Sequence, residues 1–112
     1  MPEMLSRRVA VARDHPAFAG HFPGQPLLPG VVLLGEVIEV LLREAPEALG
    51  TQPCVSAVKF LAPVRPGADL EIRWTAPGQE RLRFEVWRHA EGDPPQGQLA
   101  ASGQLAKEGG AP

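Results

Sequence analysis

One segment of this chain, GHFPGQPLLPG (residues 20–30), runs without interruption into VVLLGEVIEVLL (residues 31–42). The first half is rich in proline, which fixes φ, and in glycine, which permits tight turns, so we expect a rigid loop around His21. The second half is apolar at nearly every position, which predicts a helix that is covered on most of its sides. The sequence therefore places a histidine shortly before the amino end of the most apolar helix.

Segments of alternating apolar and polar residues on both sides of this helix predict β-strands. One precedes the loop and four follow the helix, near residues 7–13, 55–60, 70–75, 81–87 and 99–105. Short turns rich in proline and glycine separate the last four, which favours antiparallel neighbours. The simplest way to bury one long helix with these strands is an α+β hot-dog arrangement, in which one antiparallel β-sheet wraps around a long central α-helix.

Length, charge and composition limit the classes of function. With 112 residues and a formal net charge of -2, the chain reads as a single domain, assigned to residues 1–106, with a flexible C-terminal tail at 107–112. A nucleic-acid binder would show a basic face, so we expect no nucleic-acid partner. The longest apolar segment is shorter than the roughly 20 residues that span a bilayer, and no signal-peptide pattern is present. We therefore expect a soluble, cytoplasmic protein without a membrane partner.

Two motifs resemble a known enzyme family. The loop carries HFPG (residues 21–24), Pro26 and then PGV (residues 29–31), and a second segment reads FLAPVRPGAD (residues 60–69). Over about residues 9–105 the chain resembles the FabZ/FabA-type 3-hydroxyacyl-[acyl-carrier-protein] dehydratases. The resemblance implies a hot-dog homodimer that converts a 3-hydroxyacyl thioester on acyl carrier protein into the trans-2-enoyl thioester, in fatty-acid or polyketide- or polyene-type synthesis. It implies no metal or redox cofactor.

The resemblance also implies roles for residues of the loop and the helix start. His21 takes the position of the general base, and a neutral imidazole suits the removal of the α-proton. Gly30 and Val31 stand at the first helical turn, where backbone amides and the helix dipole stabilise charge on a thioester oxygen. Gly30 has no Cβ, so a thioester can approach its backbone closely. In the family, the acid is a carboxylate from the central helix of the other subunit.

The position of that acid departs from the family pattern. The family's carboxylate lies fourteen residues after the histidine, and this position is Gly35 here. Glu36 is one residue later, about 100° around an ideal helix, whereas Glu39 shares the face of Gly35 but lies one turn further on. We take Glu36, supplied by the partner subunit, as the expected acid and keep Glu39, or no acid at all, as alternatives. In the last case the chain is a catalytically degenerate subunit that binds acyl carrier protein or pairs with an active homologue.

The sequence also predicts the burial, exposure or metal binding of several other side chains. Cys54 is the only cysteine, and we expect it to be a small buried residue at a strand start. The three histidines lack metal-ligand spacing, so no metal site is expected. Arginines on the fourth strand are expected to form a solvated face, open to an acidic carrier protein: Arg81, Arg83 and Arg88. Aromatic residues on the third and fourth strands are expected in the core or along an acyl tunnel: Trp74, Phe84 and Trp87.

Overall fold

The computed structural model describes residues 4–11, 28–44, 53–75 and 81–106. Its elements in chain order are β1 (Met4–Ala10), α1 (Gly30–Glu44), β2 (Cys54–Phe60), β3 (Asp69–Thr75), β4 (Arg81–His89) and β5 (Gln98–Ala106). The predicted helix and five strands are therefore present, although β1 begins three residues before its predicted start. The loop that carries His21 and the predicted tail at 107–112 lie outside the described residues.

The five strands form one antiparallel sheet in the order β1-β3-β4-β5-β2. The three strands joined by short connections occupy the centre, while β1 and β2 form the two edges. Since β2 follows α1 in the chain but lies at the opposite edge from β1, the helix connects the two edges of the sheet. This arrangement confirms the predicted hot-dog fold.

The core lies between one face of α1 and the inner face of the sheet. Alternate residues of β3 and β4 point inward and are at most 2% exposed: Leu70, Ile72, Trp74, Leu82, Phe84 and Val86. The helix contributes four buried residues at helical spacing, Leu33, Val37, Val40 and Leu41. Trp74 and Phe84 are thus core residues, as predicted.

The side of α1 next to its core face is only partly covered within one subunit. Val31 is 77% exposed, whereas Leu34, Ile38 and Leu42 are half-buried and pack against the margin of the core. One curved sheet thus buries one face of the helix in the single chain and leaves the neighbouring apolar residues incompletely covered. These residues form an apolar stripe, defined here as Val31, Leu34, Ile38 and Leu42. Gly35 is exposed beside this stripe, and a Cβ built there meets no atom within 4 Å.

Replacing Gly35 by alanine is expected to stabilise the fold. A glycine in a helix interior costs about 1 kcal/mol relative to alanine, and the open space at Gly35 adds no steric penalty. Urea denaturation at fixed protein concentration should therefore show a free energy of unfolding higher by up to about 1 kcal/mol. Gly103→Ala is the control and should destabilise, because its Cβ would lie 2.7 Å from the Phe84 ring. A less stable Gly35→Ala protein would show that another group packs against Gly35 in solution.

The outer face of β3 and β4 carries a network of charged residues. Oε1 of Glu71 accepts hydrogen bonds from Arg73 Nη2 and His89 Nε2, both at 2.9 Å. The same Arg73 group donates to the Gln96 carbonyl at 3.2 Å, and its guanidinium carbon lies 4.5 Å from the centre of the Trp87 ring. The network therefore ties the loop before β5 to the sheet.

Trp87 belongs to this outer face and not to the core. The alternation along β4 directs Trp87 outward together with Glu85, and Trp87 Nε1 donates to Glu85 Oε1 at 3.1 Å. The prediction that Trp87 lines the core or an acyl tunnel is wrong. Aromatic character alone does not place a residue in the core, because strand alternation decides which face of the sheet the ring occupies.

The charge of Glu71 should make stability depend on pH. Hydrogen bonding to the Arg73 guanidinium lowers the pKa of Glu71 from 4.5 to about 2. A lowered pKa in the folded state means that this stabilisation is complete above about pH 4.5 and is lost as the pH falls through 2. The difference in unfolding free energy between wild type and Glu71→Gln should therefore shrink over that range.

Chemical denaturation of both proteins between pH 2 and 7 measures this difference. Glu91→Gln is the control, because Glu91 is an exposed carboxylate in the turn after β4. A wild-type advantage that persists unchanged at the lowest pH would contradict the role assigned to the Glu71 carboxylate.

Candidate functional site

An apolar cavity of about 360 Å³ opens at the amino end of α1. One wall comes from the start of the helix, with Leu28, Gly30 and Leu33. The other wall is the continuous segment from Phe60 to Val64, which follows β2. Cavities of this size are typical of small-molecule sites, and a lining without charged side chains suits an apolar ligand.

The backbone amides at this end of α1 lie in the first helical turn. Leu33 N and Val32 N both donate to the Pro29 carbonyl at 3.0 Å, which begins the helical hydrogen-bond series. Gly30 and Val31 precede these donors, and the carbonyls one turn back belong to residues 26 and 27, outside the described residues. Gly30 and Val31 therefore lie in the first turn, as predicted, with Gly30 facing the cavity. Amides at this position favour a negatively charged oxygen.

The missing side chain of Gly30 has a structural consequence in the single chain. A Cβ at Gly30 would lie 2.9 Å from two ring atoms of Phe60, so the glycine allows this ring to rest against the helix start. Phe60 is 53% exposed although it points to the inner side of the sheet. In the single chain, the Phe60 ring thus occupies the space beside Gly30 where we expected a thioester to approach. From the sequence, Phe60 was assigned no role of its own, and its place at the start of the FLAPVRPGAD segment was the available signal.

The two candidate acids differ in their surroundings. Glu36 is half-buried and lines a narrow apolar cavity of about 20 Å³ together with Val11, Leu28 and Val37. Glu39 is exposed and forms an ion pair with Arg43 one turn later on the helix. Leu28 is the first described residue after the loop that carries His21. Glu36 therefore faces the end of that loop in its own subunit, whereas Glu39 faces outward.

The wall from Phe60 to Val64 is fixed by hydrogen bonds to three other elements. Leu61 N and Ala62 N donate to the Ala100 carbonyl at 2.8 and 3.2 Å. Leu28 N donates to the Val64 carbonyl at 2.8 Å, which joins the wall to the end of the histidine loop.

Arg88 provides the remaining bond to this wall, because its Nη1 donates to the Pro63 carbonyl at 2.7 Å. The prediction that Arg88 belongs to a solvated face is wrong, since its side chain is only 20% exposed and is paired with Asp93. Its inward position could have been found by extending the alternation of Leu82, Phe84 and Val86 by two residues. Arg83 is exposed, as predicted, and the side chain of Arg81 is not described.

The remaining expectations concern cysteine, metal ligands and membrane spans. Cys54 begins β2, as predicted, but it is exposed because this strand forms the edge of the sheet, so the expected burial is wrong. Within residues 4–11, 28–44, 53–75 and 81–106, no three His, Cys, Asp or Glu side chains are grouped as metal ligands. The same ranges contain no helix long and apolar enough to cross a membrane.

Comparison with known proteins identifies the family. The family model described as ApeI-like, the ApeI dehydratase, matches residues 2–104. A protein from Erwinia carotovora subsp. atroseptica is 30% identical in sequence, with a TM-score of 0.74 over 92% of this chain and 81% of that chain.

Two dehydratases share the fold at lower sequence identity. The dehydratase heterocomplex ApeI:P from Xenorhabdus doucetiae matches with 23% identity and a TM-score of 0.72, over 95% of this chain and 88% of that chain. An N-terminal dehydratase from the difficidin assembly line matches with 17% identity and a TM-score of 0.70, over 99% of this chain and 40% of that chain. The extent of the family match, together with the hot-dog fold and the loop motif, shows that the chain belongs to the ApeI-like dehydratase family.

Proposed function

We propose that this protein is a 3-hydroxyacyl thioester dehydratase that acts on acyl chains carried by acyl carrier protein, in fatty-acid or polyketide- or polyene-type synthesis. The observation that carries the proposal is the apolar cavity at the amino end of α1, directly after the histidine loop. The cavity offers room for an acyl chain beside amides that suit a thioester oxygen. Membership of a dehydratase family supports this reaction over other thioester chemistry.

The proposed reaction removes water across C2 and C3 of the acyl chain. The imidazole of His21 takes the proton from C2, and the electron pair of that bond becomes the second bond between C2 and C3. The bond from C3 to the hydroxyl oxygen breaks, and an acid protonates the departing hydroxide to water. Charge that develops on the thioester oxygen is stabilised by the amides of Gly30 and Val31. No step requires an oxidant or a metal ion.

We propose Glu36 as the acid. Its position beside Leu28 brings it near the end of the loop that carries His21, while Glu39 is held outward by Arg43. Glu36 would then serve the histidine of its own subunit, unlike the carboxylate that the family resemblance implies. Gly35 takes the position of the family's carboxylate, so the acid has to come from another residue of the helix.

We also propose that the chain acts as a dimer. The apolar stripe on α1 is incompletely covered in one subunit, and among the described strands β2 has a neighbour on one side only. An exposed strand edge offers unpaired backbone groups to a second chain, and an exposed apolar stripe is stabilised by burial. A second hot-dog subunit that pairs along β2 would satisfy both features.

Variants of the proposed acid and base test the assignment through hydration of a crotonyl thioester. His21→Ala should reduce kcat/KM by about 10²- to 10⁴-fold, the usual contribution of a positioned general base. Glu36→Gln should cause a loss of the same order, whereas Glu39→Gln is the matched control and should leave the rate unchanged. Equal rates for wild type and His21→Ala would remove His21 from the mechanism.

Mixing the two inactive variants distinguishes action within a subunit from action across the interface. If Glu36 serves its own subunit, mixed dimers of His21→Ala and Glu36→Gln contain no complete site and stay inactive. Recovery of activity after subunit exchange would contradict this, because one restored site requires the carboxylate of one chain to meet the histidine of the other.

A second function is favoured by the open space at Gly35. In this alternative, the chain supplies His21 while a homologous subunit supplies the acid, so that the active species is a heterodimer. The ApeI:P dehydratase is itself a heterocomplex, which makes this assembly a reasonable candidate. The homodimer would then have little activity of its own.

Gly35→Glu separates the two functions. The side chain has room, because a Cβ at this position meets no atom within 4 Å. If the homodimer lacks an acid, this variant should raise its crotonyl thioester hydration from near zero by about 10²-fold or more. If Glu36 already serves, the rate should change little. Gly35→Ala is the control for changes in helix stability, and a gain of similar size in that variant would exclude the acid as its cause.

A further inference from the structure

We propose that Arg88 and Asp93 form a positioning pair that fixes one wall of the apolar cavity and thereby sets the affinity for the acyl thioester. The inference rests on the proposed function and adds to it two residues that touch neither the cavity nor the reacting atoms. It follows from the hydrogen bonds of Arg88 and from the composition of the cavity wall.

The guanidinium of Arg88 is held in a single orientation. Its Nε and Nη2 donate to the two carboxylate oxygens of Asp93, at 3.0 and 2.8 Å. Asp93 is only 8% exposed, and Ala90 N donates to its Oδ2 at 2.8 Å. Since two donors of the planar group are engaged by a fixed carboxylate, the third points in a defined direction. That third donor, Nη1, reaches the Pro63 carbonyl at 2.7 Å.

The segment from Phe60 to Val64 supplies five of the eight residues that line the cavity. Its other hydrogen bonds are between backbone groups, to Ala100 and from Leu28. Among the described residues, the bond from Arg88 is therefore the one through which a side chain holds this wall. Pro63 directly precedes Val64, whose carbonyl binds Leu28 at the end of the histidine loop. A displaced Pro63 carbonyl would thus change both the cavity and the anchor of that loop.

Arg88 contacts the cavity wall from the side opposite to the cavity. Its loss should therefore affect binding of the acyl thioester and not the chemical step. Its side chain lines a separate polar cavity with Arg65, Asp69 and Asp93, and it has no place in the lining of the apolar cavity. Loss of the pair should loosen the fit around the acyl thioester without removing a group that moves a proton. The expected effect is a higher KM with little change in kcat.

The test uses three single variants of the pair, their double variant and one control on β1. Arg88→Gln should raise KM for a crotonyl thioester about tenfold, the scale of one charge-assisted hydrogen bond, with kcat within about twofold. Asp93→Asn should act in the same direction, and the double variant should be no worse than the worse single variant, because both remove one unit. Arg88→Lys keeps the positive charge but offers a single donor nitrogen, so it should give an intermediate KM. Arg7→Gln removes an exposed arginine of β1 that pairs with Glu44, and this matched control should leave both constants unchanged.

A binding measurement keeps the inference separate from the proposed function. In the His21→Ala background, calorimetry should show about tenfold weaker binding of crotonyl-pantetheine when Arg88→Gln is added. An inactive wild type with this loss of binding would contradict the dehydratase function and support the positioning role. Unchanged KM and unchanged binding in a folded Arg88→Gln protein overturn the inference. An equal fall in kcat and kcat/KM would also overturn it, because it would assign Arg88 to the chemical step. If Arg88→Gln does not fold, Asp93→Asn decides by the same measurements.

Discussion

The packing of one face of α1 on the inner face of the sheet is the constraint on which the other features depend. Leu33, Val37, Val40 and Leu41 meet the inward residues of the central strands, and this contact fixes the rotation of the helix about its axis. Once that rotation is set, the amino end of α1 must lie beside the segment after β2. The cavity, the first-turn amides and the contact between Gly30 and Phe60 all follow from this placement. The same rotation turns Glu36 toward Leu28 and leaves Gly35 outward.

One sheet of five strands cannot cover a helix that is apolar on nearly every side. The residues left over are the apolar stripe, in which Val31 is exposed and Leu34, Ile38 and Leu42 are only partly buried against the core. Among the described strands, β2 also has a neighbour on one side only. Both features are costly for an isolated chain, because apolar surface and backbone hydrogen-bonding groups remain exposed to water or to unwanted partners. This link between helix composition and sheet size explains why a dimer belongs to the proposed function. It also explains why the identity of the second subunit matters for the acid.

Much of the fold followed from local pattern, because alternation and helical periodicity are properties of short segments. The helix, the five strands and the first-turn positions of Gly30 and Val31 were predicted in this way. The wrong predictions for Cys54 and Trp87 came from inferring burial from residue type alone. Cys54 is exposed because β2 is an edge strand, and Trp87 lies outside because strand alternation places it there. No local pattern specifies which strand becomes the edge, since that depends on pairing between distant segments.

Contacts between distant segments also decide the role of Arg88 at the candidate site. Its inward position could be read from alternation, but its bonds to Asp93 and Pro63 join segments that the sequence keeps apart. The proposal of Glu36 over Glu39 likewise depends on the rotation of the helix against the sheet. The pairing of His21 with Glu36 as base and acid stays a prediction, because His21 lies outside the described residues.

The most direct test of the central claim is the identity of the product that the purified protein forms from a crotonyl thioester in D₂O. A dehydratase running in reverse adds a deuteron to C2 and deuteroxide to C3, so the account predicts a 3-hydroxybutyryl thioester with one deuterium at C2. NMR and mass spectrometry of the product would detect this label while the thioester stays intact. Release of free crotonic acid and thiol, without label at C2, would contradict the account and identify a thioesterase on the same fold.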